Sequence, residues 1–219
     1  MIDRDLLSTI EFFKGFDAES LDAVIAAAEV RSFGRGGVLF TENHEANELF
    51  VVTSGRIAIA NRSVDGRESV VALMERGDLF GEMPLFDGRA RSAEGRALET
   101  SDVIAIPYAP LKQIYDERPQ LLWNVVEMLA NRLRNTDEQL ADSVFLDVTG
   151  RTAKRLLELA GTADEFSLPI TQEELAGMVG ASRERVNKAI ASFVKLGWIE
   201  QSERRYRITN RDQLELRAR

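Results

Sequence analysis

The pattern of hydrophobic positions changes twice along the chain. Residues 3–13 and 18–28 have the periodicity of short helices, and Asp17 is placed to cap the second of them. From residue 30 to residue 107 the hydrophobic residues form short runs of strand length, separated by turns that contain glycine. Helical periodicity returns at Tyr108. This order predicts an α+β protein whose antiparallel β-barrel or roll lies between helical segments of the sequence.

Two further local predictions complete this first part of the chain. The dipeptide Asp65-Gly66 separates two alternating runs, and such a dipeptide is typical of a β-hairpin turn. Residues 108–117 are expected to form a short helix before a much longer one.

The longest helical pattern runs from Pro119 to Phe145. Positions four and three residues apart along it are mostly apolar, namely Leu122, Val126, Leu129, Leu133, Thr136, Leu140 and Ser143. Their average spacing of about 3.5 residues is the coiled-coil repeat. The stripe therefore predicts either a dimer seam or an ordinary helix that faces a core. Thr136 and Ser143 are polar, and Asp137 flanks the first of them. A polar residue in a dimer seam usually fixes the register or contacts a ligand.

The last third of the chain is helical again at first. We interpret residues 148–150 as the break after the long helix, residues 151–160 as a further helix and residues 161–169 as a polar connector. Two short helices with a tight turn follow, and then a terminal hairpin. The pattern divides the chain into segments at 1–118, 119–146 and 147–219, and a domain boundary is expected near residues 147–150.

The two short helices have the pattern of a helix-turn-helix. Thr171 and Glu174 have the spacing of a capping box, Gly180 suits a turn that needs positive φ, and Ser182 can cap the second helix. Small and apolar residues occupy the inward positions. An ordinary helical hairpin is the alternative, but all of these positions match together, and this favours DNA binding.

The second of these helices would present its polar residues to DNA. They lie near its leading end and are Arg183, Glu184, Asn187 and Lys188. In a helix-turn-helix such residues contact base edges, where arginine can pair with guanine and glutamate with cytosine. Arg204, Arg205 and Arg207 in the terminal hairpin form either a wing that contacts phosphates or a solvated edge.

A second candidate binding segment lies in the strand-rich region. It begins with Gly81 and Glu82 and ends with Arg91 and Ser92. An arginine beside free backbone N–H groups can bind a phosphate, and a nearby glutamate can accept a bond from a ribose hydroxyl. The alternative is a surface loop with an Arg–Glu ion pair. Neither a Walker lysine nor a dinucleotide-binding glycine motif accompanies the stretch.

Composition limits the classes of function. The absence of cysteine excludes disulfides, iron–sulfur clusters and thiolate zinc sites, and a single histidine, His44, argues against a histidine-built metal centre and against an enzyme. The sequence has no apolar run long enough to span a membrane and no visible secretory signal. A cytoplasmic location is therefore expected. The formal net charge is −8, but residues 151–219 alone carry +3, which permits DNA binding.

Three motifs together resemble the Crp/Fnr family, and within it the cyclic-AMP receptor branch. They are FGEMPLFDGRARSA, RLRNTDEQLADSVFLDVTGR and TQEELAGMVGASRERVNKAI, and the resemblance covers nearly the whole chain. It implies a β-roll sensor, a long dimerisation helix and a winged helix-turn-helix. It also implies a homodimer, switched by cyclic AMP, that binds double-stranded DNA and works with RNA polymerase.

The resemblance assigns roles to individual residues. Gly81 and Glu82 would contact the ribose, Arg91 and Ser92 the cyclic phosphate, with Met83 in the same ligand set. Thr136 would contact the base, and Asp137 would contact the base held by the partner subunit. The DNA-binding set is Thr171, Ser182, Arg183, Glu184, Asn187 and Lys188, of which Arg183, Glu184 and Lys188 would recognise a TGTGA-like half-site repeated as a palindrome.

Two residues depart from the pattern. Asp137 stands where serine or asparagine is more usual, and its carboxylate can accept one bond from adenine but two from guanine, so cyclic GMP stays open as the effector. Glu94 brings a negative charge near the expected phosphate and would weaken binding if it pointed inward. A regulator that binds DNA without any ligand is the further alternative.

Overall fold

The computed structural model describes residues 2–62, 68–168 and 170–219, and the side chains of Arg62 and Glu68 are not described. The predicted turn at Asp65-Gly66 lies outside the described residues. The chain divides into two compact units, with the division inside the long helix between Leu133 and Arg134. Within the described part, none of the helices has both the length and the hydropathy needed to cross a membrane.

The first unit begins with helices. Helix α1 is Arg4–Thr9, a 3₁₀ turn follows at Glu11–Phe13, and helix α2 is Ala18–Ala27. The side chain of Asp17 accepts a hydrogen bond from the Ser20 N–H at 2.9 Å and so caps α2 as predicted.

Eight strands and one short helix then form the predicted antiparallel roll. They are β1 (Glu29–Phe33), β2 (Val38–Phe40), β3 (Glu48–Ser54), β4 (Ile57–Arg62), β5 (Glu68–Met74), β6 (Leu79–Phe80), α3 (Met83–Asp87), β7 (Glu94–Ala97) and β8 (Ser101–Pro107). One sheet has the order β1-β8-β3-β6 and the other β2-β7-β4-β5. Strand β3 pairs antiparallel with both β8 and β6.

Two apolar clusters hold this unit together. One lies between the helices and the first sheet and includes Phe12, Leu111 and Val125. The other fills the roll, where the rings of Phe40 and Phe50 stack with centroids 5.6 Å apart, and Phe50 stacks on Phe80 at 5.4 Å. Burial of large apolar side chains is the main favourable contribution to such a fold.

Helix α4 (Tyr108–Glu117) and a 3₁₀ turn at Pro119–Leu121 lead into the long helix α5, Leu122–Phe145. Two stripes run along α5. Val125 and Met128 are buried in the core of the first unit, whereas Val126, Leu133 and Leu140 are 50%, 61% and 63% exposed. The helix therefore has a face that packs on the core and a separate apolar face that the single chain leaves uncovered.

The structure of the second unit differs from the sequence-based prediction in two places. Residues 148–150 do not break the helical structure, because they form the first turn of helix α6 (Val148–Ala160), which Asp147 caps by accepting a bond from the Gly150 N–H at 2.8 Å. The break lies instead at Leu146 and Asp147. The polar connector also contains a strand, β9 (Glu165–Ser167), which pairs with the terminal hairpin.

The remaining elements form the predicted winged helix-turn-helix. They are α7 (Gln172–Val179), α8 (Arg183–Lys195), β10 (Ile199–Ser202), β11 (Arg205–Ile208) and α9 (Arg211–Arg217), with the sheet order β10-β11-β9. Helix α9 was not predicted from the sequence. It is anchored by Leu214, which is fully buried.

Candidate functional site

Arg91 lies at the centre of the candidate ligand site and is only 4% exposed. Its Nη1 donates to the carbonyl oxygen of Gly81 at 2.8 Å and to the hydroxyl of Tyr108 at 3.4 Å, and its Nη2 donates to the carbonyl oxygen of Glu48 at 2.7 Å. The guanidinium carbon is 4.3 Å from the ring centroid of Phe40, within the range of a cation–π contact.

This buried cation has neutral partners. Among the residues that the structure describes, no carboxylate lies within salt-bridge distance of Arg91, and the Glu48 carboxylate pairs instead with Arg31 at 2.6 Å. The Arg91 Nε is buried and has no hydrogen-bond partner among the residues that the structure describes. Burial lowers the pKa of Arg91 from its usual value. Because buried charges are normally paired, these features fit a site for an anionic ligand group.

The backbone at Gly81 is fitted to the same arginine. Its φ is +80°, and a Cβ at this position would lie 2.6 Å from the Arg91 Nη1. Glycine is therefore required both by the backbone conformation and by the close approach of the guanidinium.

Glu82 is 1% exposed and forms an ion pair with Arg132, whose Nη1 lies 2.6 Å from its Oε1. Arg132 also donates to the carbonyl oxygen of Leu79. Arg132 belongs to the part of α5 that lies in the first unit, so the predicted ribose ligand is tied to the long helix. The sequence analysis missed Arg132, although it precedes Thr136 by one helical turn and could have been found on that basis.

The other predicted ligand residues are placed differently. Met83 begins α3 and is 48% exposed, and Ser92 is exposed beside Arg91. Thr136 and Asp137 are exposed residues of α5 in the second unit. The structure thus brings Gly81, Glu82 and Arg91 together, with Met83 and Ser92 next to them in sequence, and the roles of Thr136 and Asp137 stay predictions.

Glu94 does not point into the interior of the roll. In β7 it lies on the same face as Arg96, and its Oε1 is 4.0 Å from the Arg96 Nε. Gly95 lies on the opposite face, where a Cβ would be 2.9 Å from the Phe40 ring that contacts Arg91. The strand alternation therefore directs the Glu94 carboxylate away from the Phe40 side of the sheet.

The second candidate surface is the helix-turn-helix, and its local predictions are confirmed. The Glu174 N–H donates to the Thr171 hydroxyl at 3.2 Å, and the Thr171 N–H donates to the Glu174 carboxylate at 2.6 Å, so both halves of the capping box form. Gly180 has a φ of +67°, and Ser182 caps α8.

Helix α8 buries one face and exposes the predicted DNA-binding face. Its buried residues are Val186, Ala189, Ile190 and Phe193, and its exposed residues include Arg183, Glu184, Asn187 and Lys188. The Lys188 Nζ lies 2.7 Å from the Glu184 Oε1, and this hydrogen bond lowers the pKa of Glu184.

The terminal hairpin supports the phosphate-binding interpretation only in part. Arg207 pairs with Glu165 at 3.0 Å and with Glu200 at 3.7 Å. Arg204 donates to the carbonyl oxygens of Leu168 and Ile170, each at 3.3 Å. Arg204 and Arg207 therefore make contacts within the second unit, and Arg205 is a further exposed arginine of the same hairpin.

Comparison with known proteins agrees with both surfaces. Residues 30–118 match the cyclic nucleotide-binding domain family, and residues 150–217 match the Crp-like helix-turn-helix domain family. The CRP-like cAMP-activated global transcriptional regulator of Mycobacterium tuberculosis is 35% identical over 222 residues, which cover 98% of this chain and 99% of that protein. The cAMP-activated global transcriptional regulator Vfr of Pseudomonas aeruginosa is 31% identical over 82% of this chain and 88% of its own.

Solved structures show the same architecture. The c-di-GMP responsive global regulator CLP of Xanthomonas campestris has a TM-score of 0.76 at 25% identity, covering 88% of this chain and 99% of its own. FixK2 of Bradyrhizobium japonicum has a TM-score of 0.78 at 21% identity, and the match covers 86% of this chain and 96% of FixK2. This likeness shows that the two chains share a fold.

The nucleotide-binding roll and the helix-turn-helix define a DNA-binding transcription regulator that responds to a cyclic nucleotide. The chain belongs to the Crp/Fnr family, whose members are transcription regulators and not enzymes.

The fit between Gly81 and Arg91 gives a first testable prediction. We expect Gly81→Ala to weaken cyclic AMP binding by about tenfold or more, because the added Cβ displaces the guanidinium and charge-assisted bonds to a phosphate are among the stronger hydrogen bonds. Isothermal titration calorimetry measures the change.

Gly77→Ala is the matched control. Gly77 also has positive φ, at +94°, but a Cβ there would meet only a Leu6 carbon, at 3.9 Å. Both variants carry backbone strain, so equal losses of affinity would contradict a specific effect on Arg91.

Proposed function

We propose that cyclic AMP is the effector and that it binds in the roll with its phosphate at Arg91 and its ribose at Glu82. The observation that supports this most is the buried Arg91 guanidinium, which has neutral partners and an unpartnered Nε. Ser92 beside it and Gly81 are the further phosphate and ribose contacts of the proposal, with Met83 at the rim. The named relatives that are cAMP-activated support the choice of nucleotide.

The carboxylate of Asp137 is compatible with either adenine or guanine as the base of the nucleotide. Asp137 can accept one hydrogen bond from the adenine amino group, but two from the N1–H and amino group of guanine. Cyclic GMP is therefore the second candidate, and the c-di-GMP responsive neighbour adds cyclic di-GMP to the ligands that an experiment should include. We propose that Thr136 contacts the base from its own chain and Asp137 from the partner.

The Glu82–Arg132 ion pair supports an allosteric connection. A ribose hydroxyl that donates to the Glu82 carboxylate would share its oxygens with Arg132, and Arg132 is part of α5. A ligand shifts a conformational equilibrium only by its different affinity for the two states. The proposal is that nucleotide binding biases α5 through this pair and thereby sets the DNA-binding competence of the protein.

We propose a homodimer that forms through residues 119–146. The exposed apolar face of α5 supports it, since Val126, Leu133 and Leu140 repeat at seven-residue intervals and are at least half exposed in the single chain. Sedimentation equilibrium should give twice the chain mass of 24.5 kDa, and a single-chain mass at micromolar concentration would contradict the dimer.

On the DNA side, the proposed target is a palindrome of TGTGA-like half-sites about one helical turn apart. Arg183, Glu184 and Lys188 would contact base edges, with Asn187 beside them. Thr171 and Ser182 would contact phosphates near the two helix starts that they cap. RNA polymerase is the proposed protein partner at the promoter.

The effector proposal is tested by calorimetric titration with cyclic AMP, cyclic GMP and cyclic di-GMP in turn. We expect cyclic AMP to bind most tightly, and Arg91→Ala to lower its affinity by about tenfold or more, because the variant removes the buried cation. Arg89→Ala is the control, since Arg89 is an exposed arginine of the same segment.

If cyclic GMP binds more tightly than cyclic AMP, then cyclic GMP is the effector and Asp137 is the specificity residue. Binding of none of the three nucleotides would refute the sensor half of the proposal. It would favour the alternative in which the roll is a scaffold for a regulator that binds DNA without a ligand.

For the DNA contact we expect Arg183→Ala to weaken binding to the palindrome by roughly 1–3 kcal/mol and to relax sequence preference, because a bidentate contact to guanine is lost. Fluorescence anisotropy with the palindrome and with a base-substituted duplex measures both effects.

Lys195→Ala is the control for this variant, since Lys195 is exposed in the last turn of the same helix, far along the chain from its leading end. An equal loss of affinity on both duplexes would make Arg183 a phosphate contact and contradict its proposed role in base recognition.

A further inference from the structure

Tyr108 joins two residues of the candidate ligand site, although it is itself not one of the predicted ligand residues. It is the first residue of α4 and is 5% exposed. Its hydroxyl donates to the carbonyl oxygen of Gly81 at 2.5 Å and accepts a bond from the Arg91 Nη1 at 3.4 Å. The hydroxyl therefore contacts both the proposed ribose segment and the proposed phosphate-binding cation.

The contact with Tyr108 occupies some of the N–H donors of Arg91 and leaves others available. A guanidinium carries five N–H donors, one on Nε and two on each Nη. Nη1 is engaged by Gly81 and Tyr108, and Nη2 is engaged once by Glu48. The Nε–H has no partner in the structure, and one N–H of Nη2 remains. The Nε and Nη2 atoms lie on the same edge of the guanidinium plane, and arginine can bind two phosphate oxygens through such an edge.

We propose that Tyr108 is a positioning residue for the phosphate site, whose hydroxyl holds Nη1 of Arg91 so that the Nε and Nη2 edge is presented to the cyclic phosphate. This inference rests on the proposed function, because it concerns the orientation of the cation that the nucleotide would contact. Tyr108 acts through Arg91 and does not itself touch the ligand.

The backbone around Tyr108 makes it a rigid support. Its N–H donates to the Asn47 carbonyl oxygen at 2.8 Å, and the adjacent residue Glu48 supplies the carbonyl that holds Nη2. Glu48 is paired with Pro107 across β3 and β8. Glu48 begins β3 and Tyr108 directly follows β8, so the pairing of these two strands sets the separation of the two residues.

The state of the hydroxyl fits this role. Burial raises the pKa of Tyr108 to about 12, so the phenol stays protonated at neutral pH and can donate to Gly81 while it accepts from Arg91. The ring belongs to the apolar cluster between the helices and the first sheet, and this packing restricts its rotation.

The test compares two buried tyrosines. Tyr108→Phe removes the hydroxyl and keeps the ring, and we expect it to lower the affinity for cyclic AMP by about 3- to 10-fold, as for loss of one oriented hydrogen bond. Tyr115→Phe is the control, since Tyr115 is 6% exposed and its hydroxyl donates to the carbonyl oxygen of Phe12 in the core. We expect this control to leave cyclic AMP affinity unchanged.

A double-mutant cycle separates positioning from general destabilisation. If Tyr108 acts through the fork of Arg91, then adding Tyr108→Phe to Arg91→Lys should cause no further loss of affinity, because lysine has no planar edge to orient. An equal loss from Tyr108→Phe in both backgrounds would show a structural effect and overturn the inference.

An NMR titration of the wild-type protein tests the same inference without relying on the folding of a variant. In ¹⁵N-labelled protein, the Arg91 Nε–H signal should shift strongly when cyclic AMP is added, because this donor gains a charged acceptor. An unchanged Nε–H signal in a protein that binds cyclic AMP would refute the inference alone. Failure of the wild type to bind cyclic AMP would refute the effector proposal and this inference with it.

Discussion

The burial of the Arg91 guanidinium is the constraint on which the ligand site depends. A cation removed from water requires compensation, and here it receives two carbonyl oxygens, a tyrosine hydroxyl and the face of a phenylalanine ring. Each of these partners imposes a requirement on the fold. Gly81 must lack a side chain, and the pairing of β3 with β8 must set the distance between Glu48 and Tyr108. The hydrogen bonds of Arg91 within the described residues are all to neutral groups, and in the proposed complex the cyclic phosphate would supply an anion.

The Glu82–Arg132 pair extends this electrostatic arrangement from the roll to the long helix. Glu82 is almost fully buried, and its charge is compensated by a residue of α5 rather than by a residue of the roll. Breaking a buried ion pair by removal of one partner is strongly unfavourable, so the two segments are coupled energetically. In the proposed complex, a ribose hydroxyl would donate to the Glu82 carboxylate and so enter this balance directly. The other face of the same helix is apolar and exposed, as a subunit interface requires.

Local signals in the sequence were enough to predict the helix-turn-helix, because the capping box, Gly180 and Ser182 act within a few residues of one another. The roll and the grouping of Gly81, Glu82 and Arg91 were also predictable from glycine turns and the resemblance. Arg132 and Tyr108 were missed because their roles arise from tertiary contacts across 50 and 17 positions of the chain. The break at Asp147 was misplaced since a glycine in the first turn of α6 suggested a loop, and β9 was missed because three residues in a polar connector carry little periodicity.

The central claim is that nucleotide in the roll and DNA at α8 are energetically coupled, and the most direct measurement is a thermodynamic cycle. DNA affinity for a labelled TGTGA-type palindrome is measured by anisotropy with and without saturating cyclic AMP, and cyclic AMP affinity is measured with and without the DNA. The account predicts that each ligand tightens the other by the same factor, within the range of about 5- to 150-fold that is usual for allosteric coupling. Equal DNA affinity in both conditions, for a protein that binds cyclic AMP, would contradict it.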